Sequence, residues 1–177
     1  MTVVFTIGHS TRSLEEFVEL LQHHGVDLLV DVRSLPASRR MPHFGKASLE
    51  RSLPPRGIEY LHMPALGGLR KAKPDSINTG WRNVGFRGYA DYMQEEAFWL
   101  AIDHLERLAG ARRVAVMCAE AVPWRCHRSL LADALTVRGV EVRHITSLKE
   151  PALHSITPFA CVADGSISYP PPDTLRL

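Results

Sequence analysis

Short apolar runs alternate with helical stripes along this chain, and turn residues punctuate them. Thr2-Val-Val-Phe-Thr-Ile7, closed by Gly8, predicts a buried strand. Ser13-Leu-Glu-Glu16 has capping-box spacing, and Leu14, Phe17, Leu20 and Leu21 give a helical stripe that Gly25 ends. Asp27-Leu-Leu-Val-Asp-Val32 is apolar enough for a strand covered on both faces. A short helix over 47–53, stopped by Pro54-Pro55, leads to a third strand at 58–62. The glycine-bearing stretch 63–88 reads as a long loop, and 89–108 as helical with a break near Phe98. Arg113-Val-Ala-Val-Met-Cys118 is the clearest strand, followed by a helix over 126–138 and a last core strand over 140–145.

Strands that alternate with helices predict an α/β fold. The expected form is a mainly parallel sheet of about five strands with helices on both faces, a three-layer, Rossmann-like arrangement. Residues 160–169 predict a small C-terminal hairpin turning at Asp164-Gly165, and 170–177 a tail. A length of 177 residues fits a single domain over 1–177. No internal repeat is visible.

Composition adds little except in where the charge lies. Hydrophobic residues at 45% suffice for a core, and no apolar run reaches the roughly 20 residues that span a bilayer. The start, Met1 to Ile7, lacks the basic region and cleavage site of a signal peptide, and three cysteines do not suggest a secreted disulfide scaffold. A cytoplasmic protein with reduced thiols, without a membrane partner, is expected. The net charge is +2, yet residues 33–87 hold eleven Lys/Arg against three Asp/Glu, a local +8 that leaves −6 elsewhere. That asymmetry points to an anionic small molecule or nucleic acid as partner. Oligomeric state and cofactor are not legible.

In a parallel sheet, ligands bind outside the carboxyl ends of the strands. Chemistry-bearing residues gather there: Gly8-His9-Ser10, Asp31 and Arg33, Leu66-Gly67-Gly68, and Cys118-Ala-Glu120. Cys118, Glu120, His9 and Asp31 are therefore the candidate catalytic groups. Ser10, Arg33, Ser38, Arg39, Arg40, Gly67, Gly68, Arg125, His127 and Arg128 are candidates for holding an anion. The segment 118–128 reads as strand, tight loop and helix start, which would set Cys126, His127 and Arg128 in a first turn whose dipole favours anions and lowers thiol pKa.

Each reading has a bland counterpart. Cys118 and Cys126 suit small buried hydrophobes, Asp31 a salt-bridge partner of Arg33 or Arg128, and His9 with Ser10 a loop cap. A metal at Cys118, Cys126 and His127 is a further option, although the spacing is not that of a zinc finger. The Cys-x5-Arg spacing of phosphatases fails, since Trp124 stands where the arginine belongs. Phe44, Trp81, Phe86 and Tyr89, interleaved with arginines, suit either base stacking or core packing. His23, His24, His43, His104 and His154 carry no spacing argument and read as surface residues.

Taken together, Thr6-Ile-Gly-His-Ser10, Asp31-Val-Arg33, Ser38-Arg39, Leu66-Gly-Gly68 and Cys118-Ala-Glu120, with Pro123, Cys126, His127 and Arg128, resemble the domain-of-unknown-function 488 family of bacteria and archaea. Thr157-Pro-Phe-Ala160, Asp164-Gly165 and Tyr169-Pro170 extend the likeness over nearly the whole chain. The resemblance implies a small α/β domain with a shared site and assigns no activity. Three functions stay open. One is an enzyme acting on a phosphorylated or nucleic-acid-related substrate. The others are a non-catalytic nucleic-acid or nucleotide binding module, and a metal- or redox-linked site at Cys118, Cys126 and His127.

Overall fold

A computed structural model describes residues 1–172, so residues 173–177 of the expected tail lie outside the described residues. Strands β1 (Val3–Gly8), β2 (Leu28–Asp31), β3 (Glu59–His62), β4 (Val114–Cys118) and β5 (Glu141–Ile145) are parallel. The strand β6 (Ala152–Leu153) pairs antiparallel with β5, giving a six-stranded sheet in the order β3-β2-β4-β1-β5-β6. The sheet thus has one strand more than expected. A two-residue edge strand has no periodicity that a sequence can display.

Side chains alternate across a strand, and the alternation here divides the core in two. Val4, Leu28, Val30, Val114 and Val116 pack against α3 (Val84–Tyr92), α4 (Glu96–Ala111) and α5 (Arg128–Val137). Their neighbours Phe5, Leu29, Ala115 and Met117 pack on the other face against α1 (Leu14–His23) and α2 (Lys46–Ser52). The molecule is a three-layer α/β structure. Burying a strand on both faces is what demands the unbroken apolar runs seen in β2 and β4.

This layering fixes where a crevice opens. The chain leaves β1 and β2 toward α1 and α2 on one face, but leaves β4, which lies between them, toward α5 on the other. Loops that part in opposite directions from adjacent strands leave a gap at the carboxyl ends. The parallel register sets Gly8 beside Cys118 and Asp31 beside Met117, so the three strand ends are level.

Two local expectations need correction. The helix expected from Cys126 begins at Arg128, because Pro123 starts a separate 3-10 turn (Pro123–Arg125) and Cys126 leaves it extended, with φ −137° and ψ 149°. His154 is no surface residue: its side chain is 8% exposed and its Nε2 lies 2.7 Å from Asp133. Burial follows from tertiary contact. His154 Nδ1 meets His144 Nε2 at 2.8 Å, and His144 Nδ1 meets the Thr6 hydroxyl at 2.5 Å, forming a hydrogen-bonded chain across β5. Thr157 and Tyr169 hydroxyls donate to the same Asp133 carboxylate at 2.7 and 2.8 Å, which ties the C-terminal segment to α5. That segment carries the hairpin β7 (Cys161–Ala163) and β8 (Ser166–Ser168), turning at Asp164 and Gly165 with positive φ at both. No helix among the described residues is long and apolar enough to cross a membrane.

Candidate functional site

The crevice is a cleft of about 410 Å³. Its floor depends on Gly8. A Cβ there would lie 1.6 Å from the Glu120 carbonyl oxygen, so only glycine lets the loop after β4 cross over β1. The crossing is pinned by backbone hydrogen bonds from His9 N to Cys118 O (3.0 Å) and from Ser10 N to Ala119 O (2.9 Å). Ser10 takes a left-handed φ of 48° in this bend. Ser10 therefore shapes the loop, and it lies outside the cleft lining.

Cys118 ends β4 and lines the cleft with Cys126, their sulfur atoms 2.7 Å apart. The hydrogen bond from Cys126 lowers the pKa of Cys118; burial opposes that, and the Arg128 charge adds to it. Cys126 is pushed strongly the other way, first by donating to Cys118 and then by burial. Cys118 thus loses its proton first, and Cys126 keeps its own. The Cys126 sulfur also accepts from Arg128 N at 3.4 Å, where the free amides of α5 begin.

Arg128 lies beneath this pair, 1% exposed. Its Nη2 donates to Ala121 O at 3.3 Å, while its Nε and Nη1 have no hydrogen-bond partner. Among the described residues it forms no salt bridge. A buried cation without a counter-charge is strongly disfavoured. Cys118 is a neighbouring group whose ionisation this charge favours.

His127 lies beside the pair, its Nδ1 3.5 Å from the Cys126 sulfur and its Nε2 3.2 Å from Val32 O. With Nε2–H donating to that carbonyl, Nδ1 carries a lone pair. Burial drives the His127 pKa down to about 4, so the ring is neutral at physiological pH. Gly68 leaves the room this ring occupies, since a Cβ there would lie 2.5 Å from Nδ1.

The opposite wall is built on Asp31. Its buried carboxylate accepts from Arg33 Nε and Nη2 at 2.9 and 2.7 Å, and the Tyr60 hydroxyl also donates to it. Arg33 Nη2 also donates to Phe44 O at 2.7 Å, and Nη1 approaches His9 Nε2 at 3.4 Å. Asp31 is fully occupied behind the wall as a salt-bridge partner. His9 stacks on Phe44 with ring centres 4.5 Å apart, and burial lowers its pKa, so it faces the cleft as a neutral imidazole.

Of the other candidates, Ser38, Glu120 and Arg125 line the cleft, the last two exposed. Arg39 and Arg40 are exposed and outside the lining; Gly67 is buried and also outside it, its missing side chain making room for Ser34. The aromatic residues divide. Phe44 and Tyr89 are fully buried and Trp81 packs on Phe86, Phe159 and Tyr169, whereas Phe86 lines the cleft. Several arginines of the basic region serve the chain itself. Arg70 donates to Gly67 O and Pro64 O and stacks on Tyr92, and Arg87 donates to Trp81 O.

Sequence reasoning overlooked Ser34 and Asn83, both in the lining. Asn83 caps α3 by accepting from Phe86 N at 3.1 Å, an N-cap signal hidden within what reads as loop. Among the described residues, no group of three or more His, Cys, Asp or Glu is placed to hold a metal ion.

A family model described as Domain of unknown function DUF488 matches residues 13–135, a span that holds Asp31, Arg33, Cys118 and Arg128 and starts after His9. No curated protein and no solved structure matches the chain. With well over half of its length matched, and the strand-end residues inside the match, the chain belongs to the DUF488 family.

Proposed function

We propose that this protein is a cysteine-dependent enzyme acting on a small anionic, phosphorylated substrate, with Cys118 as nucleophile. The observation that carries the reading is the buried Arg128 guanidinium, whose two unpartnered nitrogens call for negative charge beside Cys118. A thiolate held in this way attacks an electrophilic centre without first needing a base. Arg125 at the exposed edge of the cleft attracts the anion, and Ser34, Ser38 and Asn83 supply polar contacts around it. Glu120, exposed in the same cleft, is the candidate acid for the leaving group.

A small molecule is favoured over a nucleic acid. Stacking on bases needs exposed rings, and three of the four aromatic candidates are spent on packing. The test uses p-nitrophenyl phosphate and p-nitrophenyl acetate as chromogenic probes. Cys118→Ala removes turnover and Glu120→Ala reduces it by about 10²–10⁴-fold, while both variants keep the wild-type circular dichroism spectrum. Full activity in both variants rejects the catalytic roles. Binding of an anion that is steeply salt-dependent and unchanged in Cys118→Ser would instead favour a non-catalytic module.

A further inference from the structure

Cys118 and Cys126 come from different segments, the end of β4 and the exit of the 3-10 turn at Pro123–Arg125, yet their sulfurs meet at 2.7 Å. Covalent closure needs an approach of only about 0.7 Å, given a sulfur–sulfur bond of about 2.05 Å. We infer that Cys118 and Cys126 form a dithiol–disulfide couple that reduces small hydroperoxides at the floor of the cleft. The inference rests on the preceding reading in one respect, Cys118 as an ionised nucleophile, and is independent of the anionic substrate.

The oxidant class follows from access. Cys118 is 2% and Cys126 7% exposed, so a disulfide on another protein cannot reach either sulfur, whereas a hydroperoxide presents only a slim O–O end to the cleft. The Cys118 thiolate attacks the terminal peroxide oxygen; the S–O bond forms, the O–O bond breaks and an alkoxide leaves. The Cys126 thiol, already hydrogen-bonded at the site, gives its proton to that alkoxide, which becomes an alcohol. The new Cys126 thiolate attacks the Cys118 sulfenic sulfur, expelling hydroxide, which solvent protonates to water. Two electrons pass from the dithiol to the peroxide. Two equivalents of a small monothiol then restore the dithiol and leave as their own disulfide. Neutral His127 packs beside the pair, its Nδ1 3.5 Å from the Cys126 sulfur.

The experiment titrates fully reduced Cys161→Ser protein with hydrogen peroxide, which removes the half-buried third cysteine from the signal. The expected result is consumption of about one equivalent of peroxide, loss of both thiols, and a peptide pair joined through Cys118 and Cys126 in the mass spectrum. Adding Cys126→Ser leaves a dimedone-reactive sulfenic acid on Cys118; adding Cys118→Ser stops peroxide consumption. Peroxide-treated protein that keeps both thiols, or carries sulfinic acid on Cys118 with Cys126 free, overturns the couple. Disulfide formation in protein that turns over neither chromogenic ester would sink the anionic-substrate reading alone. Turnover of those esters without disulfide formation would sink the couple alone.

Discussion

Arg128 and Cys118 are both deeply buried, 1% and 2% exposed, and the Arg128 charge favours ionisation of the Cys118 thiol. Two of the arginine's nitrogens have no hydrogen-bond partner, and its charge acts on the sulfur at the end of β4. It also separates the roles of the cysteines, because the hydrogen bond from Cys126 and the Arg128 charge both favour ionisation of the same sulfur.

Arg128→Met therefore weakens the thiolate without harming the fold. Alkylation of Cys118 by iodoacetamide at pH 7 slows several-fold, and its pH–rate profile moves to higher pH. Because Arg128 has no carboxylate partner to strand among the described residues, exchanging it for an apolar chain leaves stability in urea unfolding unchanged or raised. An unshifted alkylation profile together with a large loss of stability would make Arg128 a structural residue only.

The Asp31–Arg33 pair is expected to behave in the opposite way, because it is complete. Asp31→Asn leaves the Arg33 guanidinium buried without its partner and costs about 3–5 kcal/mol by urea denaturation. Asp31→Asn with Arg33→Gln costs less than the sum of the two single changes. Additive losses would show that the two side chains do not stabilise one another.

Gly8→Ala tests the crossing over β1. The added methyl meets the Glu120 carbonyl, which can move only by lifting the loop that follows Cys118. A loss of about 2–3 kcal/mol is expected, with an altered Cys118 alkylation rate. Gly139→Ala, where a Cβ meets nothing within 4 Å but φ is +82°, is the control for backbone strain alone.

Stability falls as the solution is acidified below neutrality. Burial lowers His127 and His144 to about 4, whereas in the unfolded chain they titrate near 6.5. Between those values the unfolded state binds the extra protons, so stability is full above about pH 6.5 and declines toward pH 4. The slope is about 1.4 kcal/mol per pH unit for each histidine. His144→Gln removes one contribution, so unfolding free energies measured from pH 7 to 4.5 lie on a shallower line. An unchanged slope would locate the dependence elsewhere.

Much of the fold was legible because its determinants are local. The apolar runs at 27–32 and 113–118 are long enough to require cover on both faces, and alternation with helical stripes then implies a parallel sheet. The same reasoning located the strand ends, so His9, Arg33, Cys118 and Glu120 could be nominated together. It failed where a short-range signal competes with a long-range contact. Helix α5 starts after Cys126 because Pro123 begins its own turn, and His154 is buried because Asp133, 21 residues away, reaches it.

The sequence by itself determined the layers, the strand ends and the residue types available there, because periodicity and turn chemistry act over a few neighbouring positions. Only the tertiary structure decided which charges meet. It spent Arg33 on Asp31, Arg70 on backbone carbonyls, and left Arg128 buried with two nitrogens unpartnered. Charge in a sequence is a count, whereas charge in a fold depends on distance and burial. Both of those are fixed only when segments as far apart as Gly8 and Glu120 pack together.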